Sequence, residues 1–161
     1  MSVDLSFSTS TAHFNVRSAA IIRQHNHLLC TTFDGIDFWF LPGGRPKRGE
    51  TSIEGLKREF REELDATIEV DAPHIIAESF FDLAGEHYHE LAFYYVADCP
   101  PQVQFVTGED CHHLEEEGWH YRFRWIELSP TVLTNIDLQP RALHSHFIDL
   151  PPLPLHIVFD G

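Results

Sequence analysis

Residues 43–68 read GGRPKRGETSIEGLKREFREELDATI. Two glycines and a proline open the stretch and break regular structure. Thr51 and Glu54 then stand in the spacing of a capping box, in which each side chain satisfies an orphan backbone donor at a helix start. Ile53, Leu56, Phe60 and Leu64 follow on one apolar stripe, which predicts a helix over 51–65. At about 100° per residue, that stripe centres about 110° from the mean direction of Glu59, Glu62 and Glu63. The three carboxylates therefore flank the buried face, near the seam between the helix and the rest of the chain.

Glu59 repels Glu63 at i, i+4 and Glu62 at i, i+3, each pair costing roughly 0.2–0.5 kcal/mol on an exposed helix. Arg58 and Arg61 offset part of that cost, and a divalent cation would offset far more, because Mg²⁺ takes hard oxygen ligands with water and phosphate completing its shell. Gly55 is a second anomaly, since glycine inside a helix costs about 1 kcal/mol against alanine. A close backbone approach at Gly55 would account for it. A charged helix with one apolar stripe is ordinarily a solvated surface helix, so the cluster alone does not decide between surface and site.

The spacing of the flanking residues does decide. Gly44, five residues, Glu50, seven residues, then Arg58-Glu59-Phe60-Arg61-Glu62-Glu63 resembles the Nudix box, GX5EX7REUXEEXGU, where U is bulky and apolar. Asp65 replaces the second glycine of that pattern, and Ala66 is small for the apolar position after it. Asp tolerates the left-handed conformation of a helix C-cap better than most residues.

The resemblance implies a Nudix-type α/β/α sandwich with a mixed β-sheet, an α/β (α+β) fold of one domain over residues 1–161, with the box at 43–66. It implies a Mg²⁺ cofactor, with Mn²⁺ as a substitute, held by Glu59, Glu62 and Glu63 with the Gly44 carbonyl, and a catalytic set completed by Glu50 and Arg58, which lock the loop to the helix. A further glutamate beyond the box is sought in HHLEEEG (112–118), at Glu116 or Glu117, with Glu117 entered as a metal ligand; a solvated acidic loop is the other reading. Arg45, Arg122 and Arg124 are candidate phosphate-binding residues, the last two alternating onto one face of a strand. Phe38, Phe40, Phe80 and Phe81 could stack a base, although core packing is the more ordinary role for phenylalanine.

The expected reaction is hydrolysis of a nucleoside diphosphate linked to another group, with a lean toward nucleoside triphosphates. ADP-ribose, nucleotide-sugar or dinucleotide substrates form one alternative, and a non-hydrolytic ligand-binding module of the same fold another. An isoprenoid diphosphate isomerase would need an added catalytic cysteine and glutamate, which cannot be assigned from Cys30 or Cys99.

Composition bounds the partners. The 161 residues are 43% hydrophobic with thirteen phenylalanines, enough for a real core. A formal net charge of −14 disfavours a nucleic-acid polymer or an anionic membrane, while a bound cation would still admit a small anionic diphosphate. Three cysteines without a CxxC pair read as free thiols, and neither an export signal nor a membrane-length apolar run is visible, so a cytoplasmic protein is expected, with a homodimer left open. Twelve histidines fall mostly in adjacent or i, i+2 pairs without HxxxH spacing, and read as surface imidazoles.

Strands are expected over 13–24, 27–33, 37–44, 74–81, 89–98 and 119–128. A further strand could open at 66–70, the segment 100–118 reads as a loop, a second helix is expected to start near Pro140, and the tail is a candidate edge strand.

Overall fold

A computed structural model describes residues 3–160. Strand β1 (Ser6–Ser8) lies against β2 (His13–Gln24), which turns through His25 and Asn26 into β3 (His27–Phe33). Both turn residues have positive φ, 46° and 59°, as a two-residue hairpin matched to strand twist requires. A two-residue strand, β4 (Gly43–Gly44), precedes helix α1 (Ser52–Leu64). Then come β5 (Ile75–Leu83), β6 (Glu86–Ala97), β7 (Asp110–Glu116) and β8 (Trp119–Glu127). Two short helices, α2 (Pro130–Asn135) and α3 (His144–Ile148), precede β9 (Leu155–Asp160).

The sheet runs β7-β8-β3-β2-β6-β5-β9, with β1 and β4 attached to β2. It is mixed: β2 runs parallel to β6 and β5 parallel to β9, whereas the hairpins are antiparallel. Side chains alternate across it, and both faces are covered. On one face Leu56, Phe60 and Leu64 of α1 pack on Ala20, Ile22, Leu29, Tyr95 and Phe123. On the other, Leu133, Leu143 and Phe147 pack on Ala19, Ile21, Cys30, Ile75 and Tyr94. The result is the expected α/β/α layering. Among the described residues, no helix is long and apolar enough to cross a membrane.

The expected helix is present, with both halves of the Thr51–Glu54 capping box formed. Asp65 is its C-cap in the left-handed region, φ 48° and ψ 37°, and both Asp65 N and Ala66 N donate to Phe60 O. Ala66 and Ile68 are buried, so the small residue after the cap fills a core position.

Several expectations need correction. Residues 37–44 do not form a continuous strand: only bridges at Trp39 and Phe40 and the β4 pair form, as the segment passes from Thr31 of β3 to Ser18 and Ala19 of β2 on its way to the box loop. No strand opens at 66–70. The loop expected at 100–118 contains β7, whose polar HHLEE run suits a solvated edge. A helix precedes the one expected near Pro140, since Ser129 caps α2 through Val132 N with Pro130 in its first turn. Strand β1 was also missed, being three residues of polar-aromatic sequence.

Candidate active site

The box loop meets the sheet and the helix at close range through two glycines. Gly43 has φ 149°, and a Cβ there would lie 2.0 Å from Ser18 O on β2. A Cβ on Gly44 would lie 2.4 Å from Cδ of Glu59, so the carboxylate rests directly on the loop backbone. Gly55 resolves likewise: a Cβ would sit 2.9 Å from Pro46 Cα and 3.3 Å from Glu50 Oε2. The helix is seated on the loop at its glycine, which offsets the intrinsic helical cost.

Arg58 organises the carboxylates. Its Nε and Nη2 donate to Glu50 Oε1 and Oε2 at 2.8 and 3.1 Å, a bidentate pair that only a planar guanidinium can make. Its Nη1 donates to Glu59 Oε1 at 2.7 Å and to Glu62 Oε2 at 2.8 Å, and Nη2 also reaches Arg45 O at 3.1 Å. Glu50 Oε2 accepts from Lys47 N at 2.8 Å, which pins the loop from the other side. One side chain thus joins four points of loop and helix.

The electrostatic consequences differ along the helix. The Arg58 hydrogen bond holds Glu50 below the usual carboxylate range. Burial pushes Glu59 up despite Arg58. Burial also pushes Glu63 up, to about 8, with the Glu59, Glu116 and Glu62 charges adding and Arg17 opposing. Glu63 carries no ion pair among the described residues, while its backbone carbonyl accepts from His112 Nε2 at 2.9 Å. Desolvation is the larger cause of this shift, and the like charges gathered around the carboxylate add to it.

The donor set is all oxygen, which suits Mg²⁺ or Mn²⁺ rather than a soft metal. Among the described residues, no three His, Cys, Asp or Glu side chains close a metal cage. Mg²⁺ rarely uses an all-protein cage, and one or two carboxylates with substrate phosphates are its usual arrangement. Glu59 laid on Gly44 and the desolvated, like-charged Glu63 fit a cation on these grounds.

The remaining candidates divide. Glu117 occupies the β7–β8 turn with φ 49°, and it is Glu116 at the end of β7 whose charge acts on Glu63. Arg124 is held by Asp110 at 2.7 and 2.6 Å and stacks over Trp39, 5.4 Å from its centroid. Arg122 lies 3.9 Å from Asp34. Both arginines do share a face of β8, but it is opposite Phe123, which packs under α1. Their partners are Asp110 and Asp34 rather than the box carboxylates.

Arg17, unremarked in the sequence, is brought there. It projects from β2 inside an apolar segment, donates to Leu41 O at 2.9 Å and lies over Phe40, and its charge acts on both Glu59 and Glu63. A lone arginine in a run that otherwise reads as core strand was the available signal.

Arg17 and Arg45 open onto a cleft of about 480 Å³ walled by Phe33, Phe38, Phe40 and Phe81. None of these phenylalanines belongs to the buried core, so the core-packing reading fails for Phe38, Phe40 and Phe81. Phe80 points to the other face, against His89, and is 40% exposed.

Comparison with known proteins agrees with this fold. Solved structures similar in fold include a MutT protein from Bacillus halodurans (17% identity, TM-score 0.66, covering 91% of this chain and 89% of that one). A UDP-X diphosphatase (16%, 0.58, 94% and 70%) and a MutT protein from Methanosarcina mazei (20%, 0.56, 87% and 96%) are similar too. Among curated proteins, none matches the chain. The family model for the NUDIX domain matches residues 13–143, from the start of β2 to the turn before α3, and the chain therefore belongs to the NUDIX domain family.

Proposed function

We propose that the protein is a Mg²⁺-dependent hydrolase of a nucleoside diphosphate linked to a second group, cleaving a phosphoanhydride bond by in-line attack of water. The observation that carries this reading is the Arg58 fork, which fixes Glu50, Glu59 and Glu62 around Gly44. When bound, the cation would neutralise phosphate oxygens and acidify the attacking water. Glu59, Glu62 and Glu63 would hold it, with Gly44 supplying a carbonyl and Glu116 an outer carboxylate.

The chain's own groups perform the rest. Arg17 and Arg45 face the cleft and meet the charge of a diphosphate entering beside the helix. Arg58 keeps two carboxylates oriented before substrate arrives, so that little reorganisation is needed.

Nucleoside triphosphates are the leading substrates, given the compact chain of 161 residues. Likeness to a UDP-X diphosphatase supports a second reading, hydrolysis of a nucleotide sugar or dinucleotide. Cys30, Cys99 and Cys111 are all free thiols, which supports a cytoplasmic setting. Incubation with nucleoside triphosphates, nucleotide sugars and dinucleotides plus Mg²⁺, scoring phosphate against pyrophosphate release, tests the reaction. Glu62→Gln and Glu63→Gln should each lower turnover at least about 100-fold with folding intact. Near-normal rates in both variants would sink the assignment.

A further inference from the structure

Beyond the walls of phenylalanine, the cleft floor carries a polar row. Asn15 on β2 pairs with Glu90 on β6, and Glu90 pairs with Ser79 on β5, so three polar side chains stand abreast on one sheet face. All three line the cleft. Asn15 is 3% exposed and Ser79 6%, in positions where the neighbouring rows hold core residues such as Ala19, Ala77 and Tyr94. Buried polar groups ordinarily find partners. Asn15 Oδ1 accepts from Ser6 Oγ at 2.8 Å, which orients the amide and leaves Nδ2 as a free donor among the described residues. Ser79 Oγ has no partner among them, and the half-buried Glu90 carboxylate has neither hydrogen bond nor ion pair there. The other carboxylate at this end, Asp82, is taken by His87.

We infer that Glu90, with Asn15 beside it, reads the hydrogen-bonding edge of the substrate's base, and that the base it selects is guanine. A carboxylate only accepts, so it needs adjacent N–H donors, and an Asn amide donor beside it needs a carbonyl. Guanine presents its N1–H next to its 2-amino group, followed by a carbonyl. Adenine and cytosine each set one amino group beside a ring acceptor, and uracil or thymine sets a single N–H between two carbonyls; each would turn an acceptor toward Glu90. The aromatic walls supply stacking, which is tolerant of base identity, so selection falls to the polar row. Arg17 stands two residues from Asn15 along β2, about 7 Å away, between this row and the box. Base and diphosphate ends of one cleft are thereby ordered. A quaternary ammonium would also suit aromatics and a carboxylate, but would leave the Asn15 donor unused.

Only the orientation of the ligand rests on the hydrolase reading; base selection is testable without turnover. Calorimetric titration of the full chain with GMP, IMP, AMP and choline isolates the row, because IMP lacks only the 2-amino group. GMP is expected to bind at least about tenfold more tightly than IMP, as befits a hydrogen bond to a charged acceptor. In Glu90→Gln, that ratio should fall to within about threefold. Equal affinity for GMP and IMP in the wild type, a ratio unchanged in Glu90→Gln, or tighter binding of choline each overturns the assignment. The wild-type comparison stands even if the variant folds poorly. Preference for GMP with no hydrolysis of any nucleotide would overturn the hydrolase reading alone, while equal kcat/KM for GTP and ITP would overturn base selection alone.

Discussion

Glu59 lies against the backbone of Gly44 with no room for a methyl group between them: a Cβ on Gly44 would fall 2.4 Å from Cδ, 2.6 Å from Oε1 and 2.8 Å from Cγ. The loop glycine and the helix carboxylate are one structural unit. Gly44→Ala must push Glu59 off the loop, though the backbone of Gly44 itself is outside the left-handed region. Turnover is expected to fall at least about 100-fold, with a loss of stability of about 1–3 kcal/mol from the forced shift. Steady-state rates alongside urea melts would show the two effects separately. Parallel losses of activity and folding would mean that Gly44 is only a packing residue.

Arg58 spans Glu50, Glu59 and Glu62 with a fork that lysine lacks. Arg58→Lys keeps the charge but can hold only part of that set, leaving partly buried carboxylates without donors. A destabilisation of about 2 kcal/mol is expected, together with a fall in kcat larger than the change in KM. If lysine restores full rate, the fork is not what orients the glutamates.

Glu63 contributes to the pH response of the metal-free protein. Its folded pKa of about 8 lies above the usual 4.5, so between those values the folded state binds more protons than the unfolded state. Stability therefore falls as pH rises from about 5 to 8. Glu63→Gln should flatten that decline. Added Mg²⁺ should stabilise most above pH 8, where no proton has to leave Glu63. Melting temperatures across pH 5–9, with and without Mg²⁺, would reveal this; an identical slope in wild type and Glu63→Gln would contradict it.

Asp65 departs from the box pattern, yet it occupies the left-handed C-cap that the pattern's glycine would serve, with φ 48°. Asp65→Gly should be tolerated within about 0.5 kcal/mol with unchanged turnover. Asp65→Ala should cost about 1 kcal/mol, because alanine has no polar side chain to offset the left-handed conformation. A marked gain of activity in Asp65→Gly would show that the aspartate restrains the site.

Much of this was legible locally. The helix over 51–65 could be read because its capping box, apolar stripe and C-cap are all set by residues a few positions apart. Gly55 was flagged as a close approach on its cost alone, and Pro46 and Glu50 supply the neighbours. Strand β7 was missed because its residues carry almost no apolar alternation, and its existence depends on pairing with β8. Arg122 and Arg124 were correctly put on one face, but which face that was required knowing what Phe123 packs against.

By itself, the sequence determined the box: the order Gly44, Glu50, Arg58, Glu59, Glu62, Glu63, the helix that carries most of it, and the hard oxygen chemistry it offers. Such information is written in short-range spacing, where 3.6 residues per turn converts position directly into direction. Only the tertiary structure decided that the charges of Arg17 and Glu116 reach Glu63, and that Asn15, Glu90 and Ser79 form one row. Those relationships join strands far apart in the chain through sheet register, and a shift of one residue in pairing would send each side chain to the opposite face.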